Sequence, residues 1–363
     1  MNALGDWFRR HLSDPQVVVL TGIVLAVAGT LYFFGEMLMP LLAAIVLAYL
    51  LEGLVTRLEK RGVPHLIAVV MVFLTFMAVL IYIVFGLLPL VTGQVNQLIR
   101  QIPSMVGVAQ DRLVQLPNRY PGLISSEQLQ ELLSGFSAEI FSRSQVLLQF
   151  SLSSLLNLFT FGVYLILVPI LVFFFLKDKD PILAWFSGFL PGDRRLASEV
   201  WSEVNGQIAN YVRGKFWEIF IVGSVAFATF RLFGLQYSLL LAVVTGFSVL
   251  SPSVGALMVT LPVALVGYFQ FGLEPRFLWL LVAYGVIQFL DGNLLVPLLF
   301  SEAVNLHPVA IIAAVLLFGG LWGFWGLFFA IPLATVIQAV LRAWPRKSEP
   351  ELVEQAEADE KAA

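Results

Sequence analysis

The chain has 363 residues, of which 59% are hydrophobic and 12% charged, with a mean hydropathy of +0.89, whereas a soluble domain carries about 45–50% and about 25%. A soluble core of this size needs far less apolar surface, so the composition describes a membrane protein, and a net charge of −3 without a basic stripe excludes nucleic acid as a partner. With no cysteine, disulfides, thiol catalysis, zinc fingers and iron–sulfur ligation are excluded, and His11, His65 and His307 have no metal-site spacing, so neither a metal nor another cofactor is expected.

In chain order, residues 1–14 read as a short cytoplasmic lead-in. Arg9 and Arg10 before an apolar run, with Ala26-Val27-Ala28 behind, resemble a secretory signal. The run continues to Gly35, however, and about 20 apolar residues suit a retained first span. Pro40 is expected to open a second span, about 38–55. Arg57, Lys60 and Arg61 then place the connection to Pro64 in the cytoplasm. A third span, about 65–90, follows.

Residues 91–150 mix polar and apolar side chains at helical spacing, as in Leu129, Leu132, Leu133, Phe136 and Ile140. They read as an extracytoplasmic helical layer that serves packing or oligomerisation. A fourth span, about 152–176, stops at Lys177-Asp178-Lys179-Asp180-Pro181. From Arg194 to Arg213 the apolar face Leu196, Val200, Trp201, Val204, Ile208 and Val212 suits a helix in the cytoplasmic interface. Arg213 and Lys215 read as cytoplasmic anchors for a plain hydrophobic helix over about 216–233. The tail from about 346 to 363 is acidic and polar and reads as disordered.

The region 151–345 holds the most informative pattern. Leu232 to Leu273 is uncharged over 42 residues, and as one helix would be about 63 Å long, twice the hydrocarbon thickness of about 30 Å. It must turn back, and Ser251-Pro252-Ser253-Val254-Gly255 supplies the turn. Ala303 to Leu341 repeats the problem, with breakers at Gly319, Gly320, Gly323 and Gly326. A similar phrase follows each break: Gly255-Ala-Leu-Met-Val-Thr-Leu-Pro262 beside Gly326-Leu-Phe-Phe-Ala-Ile-Pro332. A plain helix precedes each, at about 216–233 and 277–299, giving two copies of helix plus broken hairpin. The short arms 236–250 and 306–318 favour re-entrant hairpins over fully spanning ones, and the two copies would then have inverted topology with both chain termini in the cytoplasm. Matched broken segments in related halves point to a transporter's binding site. The competing reading is that Gly and Pro only allow tight helix packing.

Asp291 falls at membrane depth or just above the inner interface, where a charge costs several kcal/mol unless paired or hydrated; it reads as functional, or else as a cap on a break at Gly292. Gln288, Asn293, Ser251, Ser253 and Glu302 complete the candidate substrate or ion site. The expected fold is therefore all-α, with about six to eight membrane helices, two of the hydrophobic elements being broken hairpins. No nucleotide-binding phrase is present and no catalytic triad or His-Glu-x-x-His spacing occurs, so a secondary carrier is expected rather than an ATPase or an enzyme. A passive channel is the other transport reading, although no span carries a repeated polar ring.

Gln288-Phe-Leu-Asp-Gly-Asn-Leu-Leu-Val-Pro-Leu-Leu-Phe-Ser-Glu-Ala-Val-Asn-Leu-His-Pro308, with Phe318-Gly-Gly-Leu-Trp-Gly-Phe-Trp-Gly326 and Ala330-Ile-Pro332, resembles the AI-2E transporter family, and most closely its PerM-like permeases, over about 10–345. Ser251-Pro-Ser-Val-Gly255 is a weaker match, with Ser253 where the family has an aromatic residue, and many relatives carry Glu at the position of Asp291. The resemblance implies a homo-oligomeric, multi-pass carrier of the bacterial inner membrane, with the lipid bilayer and a small solute or ion as partners. Family members are linked to export of the signal autoinducer-2 or to sodium/proton antiport.

Overall fold

A computed structural model describes residues 15–114, 155–188, 195–251, 254–300 and 306–343. Every regular element among them is helical. Expectations that fall on 91–150 beyond Val114, on Pro252, Ser253 and Glu302, and on the tail lie outside the described residues. Helix α1 runs Pro15–Glu59, α2 His65–Tyr82, α3 Leu88–Val114, α4 Leu155–Lys177, α5 Lys179–Ser187 and α6 Arg195–Leu232. Then come α7 Ser238–Ser248, α8 Val254–Phe271, α9 Pro275–Leu290, α10 Val296–Phe300 and α11 Pro308–Ala343. Wide π turns, Ile83–Leu87 and Asp291–Leu295, join α2 to α3 and α9 to α10.

Two boundaries differ from the sequence reading, whereas the second span expected at about 38–55 agrees with Met37–Glu59, which is long and apolar enough to cross a membrane although α1 is continuous through Pro40. Proline is tolerated in a long apolar helix because neighbouring groups can satisfy the freed carbonyl. The helix read as a third span also passes through its π turn into the polar segment as far as Val114. Finally, the amphipathic stretch from Arg194 and the hydrophobic helix after Lys215 are one element, α6. Met37–Glu59, His65–Met105 and Pro275–Phe300 are long and apolar enough to cross a membrane, and Phe161–Lys177 taken with α5 would make a fourth. The apolar helices Ser238–Ser248, Gly255–Phe271, Val309–Gly323 and Gly326–Ala339 are shorter.

The chain divides into two compact units. One comprises Pro40–Lys177 and Arg213–Leu299. Within it, Ala44, Ala48, Leu51 and Val55 of α1 pack on Ala68, Val69 and Val72 of α2 and on Val172 and Leu176 of α4. The small residues let these helices approach closely, the packing mode available in lipid. A second core joins α6, α7, α8 and α9 through Val222, Ala226, Phe230, Leu241, Val263, Leu280 and Tyr284, with Val91, Val95 and Leu98 of α3 against it. Large apolar side chains such as Leu74, Phe85, Leu257, Leu261, Trp279 and Phe289 are exposed, as a lipid-facing surface requires.

The other unit gathers the described residues of Met1–Met39, Asp178–Val212 and Phe300–Ala363. Its main feature is the bend in α11, where Trp322 (φ −126°, ψ 15°) and Gly323 (φ 57°, ψ −131°) leave helical geometry. Glycine alone tolerates the second of these conformations without strain.

Candidate functional site

The site is built at the broken end of α7. That helix has 11 residues, about 16 Å at 1.5 Å per residue, so it ends far short of a bilayer's width and leaves its last carbonyls without helical donors. The chain then reverses through a turn in which Leu250 N–H donates to Phe247 O (3.2 Å), Ser251 N–H to Ser248 O (3.1 Å) and Gly255 N–H to Ser251 O (2.9 Å). A Cβ placed on Gly255 would lie 1.8 Å from Ser248 O. Only glycine lets the return arm start this close to the end of the outgoing one.

The carbonyl of Val249 is satisfied by Lys215, whose Nζ donates to it at 2.8 Å. Lys215 reaches it because α6 and α7 touch at glycine: a Cβ on Gly246 would stand 2.8 Å from Ile219 O and 3.2 Å from Gly223 Cα. A cation at a helix C-terminus is favoured by the exposed carbonyls there. The ammonium is 3% exposed and in turn pairs with Glu218, 1% exposed, at 2.7 Å one helical turn along α6. These two residues, read from sequence as an anchor and not singled out at all, are the most deeply buried charges among the described residues.

Asp291 completes the group from α9. Tyr284, Gln288 and Asp291 are spaced i, i+4, i+7 and so share one helix face, and Asp291 opens the π turn, a distortion frequent at functional positions. Lys215 interacts electrostatically with both Glu218 and Asp291, and the two carboxylates act on each other. With all three ionised the cluster carries one net negative charge. Asp291 Oδ1, Gln288 Nε2 and Glu218 Oε2 are buried without a hydrogen bond among the described residues, although Glu218 Oε2 keeps its ion-pair contact. Buried polar atoms are normally bonded, and each one left without a bond costs about 1–3 kcal/mol. The two on Asp291 and Gln288, beside the Lys215–Glu218 ion pair, mark a place suited to water, an ion or a polar solute.

The other candidates fall differently. Asn293 is exposed and its Nδ2 donates back to Phe289 O at 2.9 Å, within its own helix. Ser251 is half-buried in the turn, two residues beyond the capped carbonyl. On the same face of α9, the Tyr284 hydroxyl donates to Ala256 O at 3.5 Å beside the hydroxyls of Thr245 and Thr260, and the Tyr284 ring stacks on Phe230 with centroids 6.1 Å apart. No group of three or more metal-ligating side chains occurs among the described residues.

The second hairpin repeats the backbone device with different chemistry. A Cβ on Gly326 would lie 1.8 Å from Phe318 O, the counterpart of Gly255 against Ser248, while one on Gly319 would meet Leu327 Cδ2 at 2.7 Å. The matched phrases thus fold into matched contacts. The break sits at Trp322 and Gly323, with Gly319 and Gly320 still helical. Pro332 lacks the N–H that would pair with Phe328 O four residues earlier. Tyr211 Oη donates to that carbonyl instead, at 3.3 Å.

An all-helical, multi-pass membrane protein with broken apolar hairpins and a charged cluster at one break is thereby defined. A family model described as AI-2E family transporter matches residues 22–346. PerM of Escherichia coli (strain K12), a permease by provisional name, is 48% identical over 345 residues, covering 95% of this chain and 98% of PerM. YueF of Bacillus subtilis (strain 168), provisionally named a transport protein, is 26% identical over 332 residues, 89% of this chain and 88% of YueF. The chain belongs to the AI-2E transporter family.

Proposed function

We propose that this protein is a secondary carrier whose coupling site is the Lys215–Glu218–Asp291 cluster at the tip of a re-entrant hairpin. The carrying observation is the pair of electrostatically coupled carboxylates beside a buried lysine at a helix break. Membrane-embedded ionisable groups are costly and mark ion or substrate paths. One unbalanced negative charge suits a proton or a monovalent cation, and Gln288 and Ser251 offer uncharged polar atoms to a small solute. The short arm α7 supports re-entry rather than crossing, and a carrier of this kind alternates access around a fixed site at a broken helix. The positive-inside rule places the Arg57–Arg61 turn in the cytoplasm of a bacterial inner membrane. The resemblance to the family supports a homo-oligomeric assembly.

In the solute reading the cargo is a small polar molecule such as a signalling compound, with the cation driving it. In the second reading, favoured by the single net charge, the cation is itself the cargo in exchange for protons. Flux in proteoliposomes separates them: sodium and proton fluxes without added solute support the second, and flux from a solute panel supports the first. Asp291→Asn is expected to abolish coupled flux in either case with assembly intact. Undiminished transport by that variant removes Asp291 from the mechanism.

A further inference from the structure

We infer that His65 is a proton-dependent clamp: as an imidazolium it fastens the start of α2 to the ends of both α1 and α4, and as a neutral imidazole it releases α4. Its Nδ1 lies 2.6 Å from Glu59 Oε1, on the last residue of α1, and its Nε2 lies 3.3 Å from Lys177 O, on the last residue of α4. Both partners can only accept, because neither a carbonyl nor an ionised carboxylate carries a proton. A neutral imidazole has one N–H and one bare lone pair, so in either tautomer one of its nitrogens would meet an oxygen lone pair against lone pair. Only the imidazolium donates to both. Holding the extra proton on Glu59 instead is unfavourable, since a carboxyl titrates about two units below an imidazole.

The local fold sets the ring in this place. The turn between α1 and α2 closes as Gly62 N–H donates to Glu59 O at 2.8 Å, with Gly62 at φ 89°, and the first residue of α2 returns beside the last of α1. Lys177 O needs a donor from outside its own helix, since Pro181, four residues on, has no N–H. A cation is favoured at such a helix end. Leu176 and Val172 of α4 pack with Val55 of α1 and with Ala68 and Val69 of α2, so the clamp sits on the polar rim of a core that the three helices share. The charges that act on the ring are Glu59 and Glu52, both of α1; α4 presents the Lys177 carbonyl. Helix α2 has no other ionisable side chain before Tyr82, and Arg57, Lys60 and Arg61 are exposed. The Nδ1 contact is the shorter and joins opposite charges, and such bonds are about twice as strong as neutral ones. A neutral ring therefore keeps its N–H toward Glu59 and turns its lone pair to Lys177 O, so α4 is the helix that comes free. The clamp is complete on the acid side of the imidazole's titration and is lost as pH rises through it. Under the orientation proposed above, the pH it reads is that of the cytoplasm.

The test uses the full chain in detergent. The sequence holds three histidines, so in a nitrogen NMR titration of ring-labelled protein the His65→Phe variant identifies the His65 signals by removing them. Both ring nitrogens of His65 are expected to stay protonated to a higher pH than they do in Glu59→Gln. A sole thiol then reads the helix end: Leu176→Cys, at a site 1% exposed in a chain without native cysteine, is labelled at about pH 5.5 and about pH 8.5, either side of an imidazole's ordinary pKa of about 6.5. Each rate is divided by that of the same thiol in a His65→Phe background, which keeps a planar ring without a donor and cancels the thiol's own titration. At the lower pH the parent is expected to label at least about threefold more slowly than His65→Phe, the size expected of one exposed charged contact, and at the higher pH the two rates converge. A ratio that does not change with pH overturns the clamp, and so does a His65 that titrates alike with and without Glu59. Ala226→Cys, fully buried in the α6–α9 core, checks integrity: a ratio there that follows pH in the same way means general loosening and also overturns it. No flux is measured, so undiminished flux in Asp291→Asn would remove the transport reading and leave this result standing.

Discussion

Gly255→Ala is the substitution for which the structure gives the sharpest magnitude. The added Cβ would stand 1.8 Å from Ser248 O, 2.7 Å from its carbonyl carbon and 3.1 Å from its Cα. Real Cβ contacts essentially never fall below 3.0 Å, so the two arms must part by more than about 1.2 Å, and the obstacle is backbone with no rotamer to yield. Overpacking of this kind costs about 1–3 kcal/mol. At about 2–4 °C per kcal/mol, the unfolding midpoint in detergent should fall by roughly 2–12 °C. The eight tryptophans give an intrinsic fluorescence readout. Gly285→Ala is the control: it is exposed on α9 with nothing within 4 Å of its Cβ, and alanine there should stabilise by up to about 1 kcal/mol through helix propensity. If the two variants melt together, the close approach of the hairpin arms is not what holds the tip, and the reasoning fails.

Gly326→Ala should behave as Gly255→Ala does, because its Cβ would also lie 1.8 Å from a backbone oxygen; melting is again the measure. Tyr211→Phe should cost about 1 kcal/mol by removing the bond to Phe328 O. In a Pro332→Ala background that cost should vanish, since a helical N–H becomes available to the carbonyl, and a double-mutant cycle reads the difference. Gln94→Ala, which removes the acceptor for Leu240 N–H at the start of α7, should cost about 1 kcal/mol, as loss of a helix cap does.

The membrane character and the hairpins were legible because they rest on local chemistry. A 42-residue uncharged run cannot remain straight in a bilayer, and Gly255 and Gly326 stand where only glycine fits. Asp291 and Gln288 stand out in the sequence because polar groups in an apolar run are conspicuous. Lys215 and Glu218 were not, for a reason of register. Apolar periodicity reports which face of α6 is buried but not where the helix enters the membrane, so Lys215, two residues after Arg213, read as one more interfacial anchor. A break was inferred near it where the structure has continuous helix from Arg195 to Leu232. The signal that could have found the pair is the i, i+3 placement of opposite charges inside an apolar helix with Gly223 about two turns past Lys215, since a small residue marks the face where another element comes close. Asn293 misled in the opposite sense: it sits in the most distinctive phrase of the sequence, yet it bonds its own helix.

The two hairpins share a backbone device but differ in what satisfies their freed carbonyls. In the second hairpin a tyrosine hydroxyl, an uncharged donor, serves Phe328 O. In the first, a lysine serves Val249 O and leans on a carboxylate that a proton or cation can neutralise. The sequence phrases that match between the hairpins therefore account for their shape, and the residues that do not match, Lys215 and Tyr211, account for how their freed carbonyls are satisfied.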